Sequence, residues 1–498
     1  MKKTILTLCL ALTAVLALNA ETFTGNIVLV RNGQTYNSNV TVTSTQGDNG
    51  LYNFELVVPL FGTMKMYDVH AATSDGITVY SAERDVATNF GTMRTTLFAR
   101  VTDGMMAANV AIPAQNTTMW FNTVGNHFQL PNSDFEAWTA STGEPDHWHG
   151  FKSADGTFAG ASASYAKLNS SEDVRSGATG HSAVMTTGQV PIIGTLANGT
   201  MTNGQLIAGS MDANSTSNHA EMDKNKTATD ANGDLFYMPL YAKPDKFNVW
   251  LKYTQGTANA NNNANVSVKT FDGTYYQEPV DKVYTNLSGS IVGGQIPAGG
   301  WTFYSFPFDY DSYAANNAAS EAIFVTFSTN GQPAQGSKND ALYVDDIELV
   351  YLAQMTDLRY QGVTIDGWNP AVINYSIETT GEPNLDDFTA TIEGASAVLT
   401  KSMEQNADGS YRIAISVVAG DLQTATCYLI NATVAAAVLK GDVNDDGVVS
   451  IDDVTALIDY LLTGYSQDIN MQNADVDNSG DISIDDVTAL IDKLLTGN

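Results

Sequence analysis

Cysteine is nearly absent from this chain: Cys9 and Cys427 are the only two in 498 residues. Cys9 lies inside an N-terminal apolar run, so cleavage of that run leaves Cys427 alone and excludes an intrachain disulfide. Basic residues are scarce too, with 23 Lys and Arg against 54 Asp and Glu and a formal net charge of −31. Nothing supplies a basic face, which argues against binding nucleic acid or anionic lipid. Charged residues make up only 15% of the chain, and Asn, Thr, Ser and Gly carry the polarity, a composition suited to an extracellular β-rich protein. The one long apolar stretch, about Ile5 to Leu18, follows Lys2 and Lys3 and ends among the small residues Ala17 and Ala20. This pattern predicts a secretory signal peptide over residues 1–20, and the stretch is too short for a membrane span. Leu8 precedes Cys9 where a lipoprotein signal needs a small residue, so no lipobox is present and the expected location is secreted or on the extracellular cell surface.

What the chain does have is a repeated phrase near its C-terminus. DVNDDGVVSIDDVTALID begins at Asp442, and DVDNSGDISIDDVTALID begins 33 residues later at Asp475. In the first copy oxygen-bearing side chains stand at loop positions 1, 3, 5, 9 and 12: Asp442, Asn444, Asp446, Ser450 and Asp453. Gly447 takes the sharp turn at position 6, and Val448 offers a backbone carbonyl at position 7. The second copy sets out Asp475, Asp477, Ser479, Ser483 and Asp486, with Gly480 at the turn and the carbonyl of Asp481. Alternate oxygen donors converging on one centre are what a hard cation such as Ca2+ requires. Aspartate stands at position 12 in place of the usual glutamate, so bidentate binding needs a closer loop. Behind each loop, Val454, Leu457, Ile458, Leu461 and Val487, Leu490, Ile491, Leu494 recur at helical spacing. Thirteen aspartates face two lysines in residues 438–498. Their mutual repulsion predicts that this module folds only with its metal.

These residues resemble a type I dockerin, a calcium-dependent plug that fastens glycan-degrading enzymes to cohesin receptors. The resemblance spans 438–498 and implies two Ca2+ ions and a cohesin-like partner. In the family, loop positions 10 and 11, often Ser-Thr, face the cohesin; here they are Ile451-Asp452 and Ile484-Asp485.

The remainder predicts a mainly β protein. Residues 21–113 alternate in the strand manner between turns such as Gly47–Gly50, which predicts seven or eight strands curled into a barrel. The pattern resembles calycin-like barrels, whose interior holds either a small apolar ligand or packed side chains. A linker over 114–128 leads to a unit at 129–353 that opens on LPNSDFEAW and closes on ALYVDDIELVY. Its paired first and last strands resemble a carbohydrate-binding jelly roll of the carbohydrate-metabolism domain family. In related jelly rolls an acid of the first strand shares a structural calcium with an aspartate of the last, which implies Glu136 with Asp345 or Asp346. Residues 354–437, with an Asp366-Gly367 turn, resemble an immunoglobulin-like or cadherin-like sandwich.

Sugar recognition stacks an aromatic face on the pyranose ring, and the loop-tip pair Tyr275 and Tyr276 is the expected glycan contact. Trp250 and Tyr304 sit in apolar strand runs and read as packing. His147 and His149 share a strand face, yet no third metal ligand lies nearby in sequence. Gly180-His181-Ser182 lacks the closing glycine of a nucleophile elbow. Three functional readings remain open: a non-catalytic glycan-binding protein attached through its dockerin, a glycoside hydrolase, and an adhesin-like scaffold whose dockerin is an internal calcium clasp. A polysaccharide is the expected partner in the first two.

Overall fold

The computed structural model describes residues 20–74, 77–102, 104–123, 128–191, 194–278, 282–435, 439–464 and 469–496. Apart from Ala20, the expected signal peptide lies outside them. The chain divides into two compact units, one of 1–373 with 385–403 and 414–429, the other of 374–384 with 404–413 and 430–498. The fold is mainly β, with helices concentrated at the C-terminal end. Among the described residues no helix is long and apolar enough to cross a membrane.

In the first unit eight antiparallel strands, from Ala20–Arg31 to Thr117–Asn122, close into a barrel, the first pairing with the last from Asn26–Asn122 to Arg31–Thr117. Strand alternation sends Ile27, Leu29, Val42, Phe54, Leu97, Val110 and Phe121 inward. Their side chains fill the interior and leave a void of only about 30 Å³. Of the two fillings left open for a calycin-like barrel, packing is the one observed.

The jelly roll that follows is built on one long sheet folded back on itself. Its strand order is Lys167–Ser171, Ser182–Thr186, Ala341–Val350, Lys246–Thr254, Gly299–Asp309, Leu287–Ile291, Ala264–Phe271, Ala322–Ser328 and Thr200–Thr202. Gly299–Asp309 bridges the halves, pairing with Lys246–Thr254 along most of its length and with Leu287–Ile291 at its end. Between the halves lie Phe247, Val249, Leu251, Val266, Val325 and Phe327, all buried. A smaller three-stranded sheet, Gln205–Ala208, Asn218–Met222 and Tyr276–Glu278, stands apart from this path.

Three contacts fasten the β modules of this unit together. Arg100 of the barrel, buried, donates from Nη1 to the Gly420 carbonyl at 3.3 Å. Asn109 donates to the Leu422 carbonyl at 3.1 Å. Asp245 of the jelly roll accepts from the Ala395 and Leu352 amides, each at 2.7 Å. Burial draws the Arg100 guanidinium down to about 10. Further strands of this unit form a three-stranded sheet, Val363–Thr364, Gln354–Tyr360 and Phe388–Glu393.

The C-terminal part of the second unit holds helices Ile451–Thr463 and Ile484–Thr496. They pack through Val454, Leu457, Val487 and Leu490, with Val443 and Ala474 completing a six-residue core.

Candidate functional site

Each C-terminal loop is wound around a buried aspartate. In the first, Asp453 accepts from the Asn444 amide at 3.0 Å and the Ser450 amide at 2.7 Å. Ser450 is the N-cap of the helix, its side chain accepting from the Asp452 amide, so position 12 and position 9 form a capping box while they shape the loop. In the second, Asp486 accepts from Val476 at 2.7 Å, Asp477 at 3.2 Å and Ser483 at 2.8 Å. Asp445 and Asn478, 33 residues apart, both take a left-handed backbone, at φ 59° and 61°. Gly447 and Gly480 follow at 88° and 89°, so the two turns are copies in geometry as in sequence.

The donor set fits a hard cation. Carboxylate oxygens of Asp475, Asp477 and Asp486 lie within 4.8 Å of one another. Asp475 Oδ1 is buried and accepts no hydrogen bond, while Lys440 stands 3.6 Å from Oδ2. A buried carboxylate oxygen without a donor is costly unless a cation meets it. In the first loop Asp442 holds the Asp446 and Gly447 amides at 3.0 and 2.9 Å, and Asn444 bonds Asp446 at 3.0 Å. Ser479 donates to the Asp481 carbonyl at 3.1 Å, which places the position-5 and position-7 oxygens side by side.

Residues 440–495 match the family model of the dockerin type I domain. This segment is a type I dockerin. Its two repeats expose matching apolar residues: Ile451 and Ile484 are 68% and 66% exposed, Leu462 and Leu495 79% and 80%. Asp452 and Asp485 are exposed beside them. No curated protein matches the chain. Among solved structures, a Bacteroides thetaiotaomicron protein provisionally named a glycoside hydrolase is 11% identical, over 53% of this chain and 87% of its own, with a TM-score of 0.33. A tandem CBM22 domain from Paenibacillus barcinonensis is 10% identical over 68% and 80%, TM-score 0.20. An M60 catalytic domain with two CBM51 domains from Clostridium perfringens is 8% identical over 84% and 40%, TM-score 0.17. Overlaps this loose carry no argument.

Upstream of the dockerin, two of the jelly-roll acids, Asp345 and Asp346, lie on Ala341–Val350, an inner strand of the long sheet. Asp345 is buried and accepts from the Asp346 amide at 2.9 Å. Burial, then the neighbouring Asp346 carboxylate, pushes its carboxyl up to about 7, with Glu136 adding to the repulsion. Asp346, held at φ 48°, accepts from Arg175 Nε at 2.6 Å. Glu136 accepts from the His181 amide at 2.7 Å. The three acids are neighbours in charge, yet they do not close to within the 4.8 Å that the second dockerin loop achieves.

The expected glycan pair needs correcting. Tyr276 is fully buried, its ring packed on Phe271, Tyr284 and Phe324, because it opens a strand rather than tipping a loop. Tyr275 is partly covered, and its hydroxyl is engaged with Glu221 and Gln277 at 3.2 and 2.9 Å. Trp250, read as packing, instead lies on the outer face of Lys246–Thr254, where Lys246, Asn248, Trp250 and Lys252 alternate with the buried Phe247, Val249, Leu251 and Tyr253. There it meets Phe303, 48% exposed, with ring centroids 5.5 Å apart. Trp301 and Tyr343 form a second pair at 6.2 Å. Arg175 lies 5.2 Å over Trp250 and Lys252 4.8 Å over Tyr343. Asp173 accepts from Trp301 Nε1 at 3.0 Å, and its bonds to Lys252 and Trp301 hold its carboxyl below the usual range. The period-two pattern was the signal that could have found this strip.

His147 and His149 do not share a site. His147 Nδ1 meets Asp234 at 3.0 Å, whereas His149 is buried with Asp230 3.6 Å away and Phe236 against its ring. Burial holds His149 down to about 4, so it is a neutral core residue at physiological pH.

Proposed function

We propose that this protein is a secreted, non-catalytic glycan-binding component, held in a larger extracellular assembly by its calcium-loaded dockerin. The observation that carries the binding role is the aromatic strip of Trp250, Phe303, Trp301 and Tyr343. Phe303 is exposed and Trp250, Trp301 and Tyr343 are half-buried on one sheet face, an arrangement that suits stacking against sugar rings, and Lys252, Arg175 and Asp173 stand beside them to reach hydroxyls. Calcium at Asp442, Asn444, Asp446, Val448, Ser450 and Asp453, and at the matching residues of the second loop, orders the dockerin. The exposed pairs Ile451-Asp452 and Ile484-Asp485 are its proposed cohesin-facing residues. A further structural calcium between Glu136, Asp345 and Asp346 would relieve their repulsion.

A hydrolase reading draws on the raised carboxyl of Asp345 next to Glu136. A general acid must reach the leaving-group oxygen. Asp345 is sealed from solvent and bonded to its neighbour's amide, which favours a structural role. A polysaccharide array run in millimolar calcium, with the same panel assayed for released reducing ends, tests this: retention without release, lost in Trp250→Ala, is expected. Release of reducing ends would establish the hydrolase instead.

A further inference from the structure

Each aromatic pair of the strip is tied to the loop between Lys167–Ser171 and Ser182–Thr186. Asp173 accepts from Trp301 Nε1 at 3.0 Å and from Lys252 Nζ at 2.5 Å. Two residues on, Arg175 lies over Trp250 and donates through Nε to Asp346 at 2.6 Å. The pairings set Trp250 opposite Phe303 and Lys252 opposite Tyr343, so Lys252 stands within the strip and not at its margin. Opposite Trp250 the strand Ala341–Val350 bulges: the register shifts between Asn248 and Trp250, and Asp346 takes φ 48°. A bulge re-aims a side chain, and here the re-aimed side chain is the carboxylate that meets Arg175.

Both cations of the strip are therefore already matched, Lys252 by Asp173 and Arg175 by Asp346. Two further carboxylates stand exposed beside them, Glu172 next to Asp173 in the chain and Glu348 opposite Asn248. Lys246, the other cation of the outward row, is about 13 Å from Trp250 along the strand, beyond the screening length of ~8 Å at physiological salt. An incoming carboxylate or sulfate would meet Asp173, Asp346, Glu172 and Glu348 against two engaged bases, on a chain of net charge −31. A hydroxyl meets no such penalty, because Arg175 commits Nε to Asp346 and can still donate from its terminal nitrogens.

We infer that the strip takes an uncharged polysaccharide, with Asp173 and Asp346 keeping Lys252 and Arg175 from acidic sugars; this rests on the glycan-binding reading above. Rings and hydroxyl donors recognise the ligand, and the two carboxylates decide what is refused. Binding governed by stacking and neutral hydrogen bonds changes little with ionic strength.

The polysaccharide array, run on the full chain in millimolar calcium at about 0.05 M and 0.5 M salt, tests the assignment. Xylan, mannan, laminarin and starch stand among its neutral members, and chondroitin sulfate and hyaluronate among the anionic ones. The wild type should be retained by a neutral polymer, through Trp250, with no more than about a twofold loss at the higher salt. Neither anionic polymer should retain it. Asp173→Asn keeps an acceptor for Trp301 while freeing the Lys252 ammonium, and Asp346→Asn suits the left-handed backbone while freeing Arg175. Each variant should acquire retention by chondroitin sulfate at the lower salt and lose it at the higher. Because this is a gain of binding, partial unfolding cannot mimic it. Wild-type retention by an anionic polymer, abolished in Trp250→Ala, overturns the inference and leaves the glycan-binding reading standing. Failure of both variants to acquire anionic binding overturns it as well. A blank array removes the glycan-binding reading itself.

Discussion

The barrel and the dockerin solve the same problem with different materials. The barrel closes 22 buried apolar and aromatic side chains inside one sheet and contains its own stabilisation. The dockerin closes six and buries Asp442, Asp453 and Asp486 among its loops. Apolar area of that size cannot offset chain entropy together with buried negative charge. One module is therefore expected to fold on its sequence alone, and the other on its sequence plus a cation.

Chelation is the sharpest way to break this contrast. Removing calcium should erase the circular dichroism of helices Ile451–Thr463 and Ile484–Thr496 while the β melting transition stays in place. Helical signal that survives the chelator would end the distinction. In the barrel, Phe121→Ala should cost about 3–5 kcal/mol in urea unfolding, whatever the calcium concentration. Asp486→Ala, which strips three amide partners as well as a cation ligand, should cost the calcium-saturated dockerin about 3 kcal/mol. Asp481→Ala, which leaves its carbonyl in place, should cost almost nothing by the same calcium titration.

Acid sharpens the contrast further. His149 is held at about 4 against an ordinary value near 6.5. Its neutral form is favoured by the fold, so its contribution is complete above pH 6.5 and fades as pH falls toward 4. That fading should amount to about 2–3 kcal/mol of jelly-roll stability, and His149→Gln should flatten it. The dockerin also weakens in acid as its carboxylates protonate, but excess calcium should rescue the dockerin alone. A comparably small effect on stability belongs to Ile451→Ser with Ile484→Ser: both side chains are exposed, so stability should stay within about 0.5 kcal/mol. Capture by a cohesin, measured by calcium-dependent pull-down, should nonetheless be lost.

The calcium loops were legible in the sequence because coordination fixes both residue type and interval, and no distant element is needed to complete them. The mainly β character and the closed barrel were legible through alternation of the kind seen at Thr22–Val30. Tyr276 was misread because a turn at Asp272-Gly273 hides that the next residues enter a strand facing Phe271 and Phe324. Trp250 was misread in the opposite sense: an apolar run concealed that every second residue faces outward. A cavity lined by Leu206, Ser267 and Glu278 was not legible at all, since its walls come from elements scattered from residue 151 to residue 334.

The bonds from Arg100 to Gly420 and from Asn109 to Leu422 join residues 320 and 313 positions apart. A chain emerging from its N-terminus has every barrel strand available some three hundred residues before the loop that its Arg100 must meet. Barrel closure is thus an early, local event, and docking onto residues 419–424 a late one, governed by the slow search for distant contacts. During that interval Arg100 waits in solvent, fully charged, and docking is the step that dehydrates it.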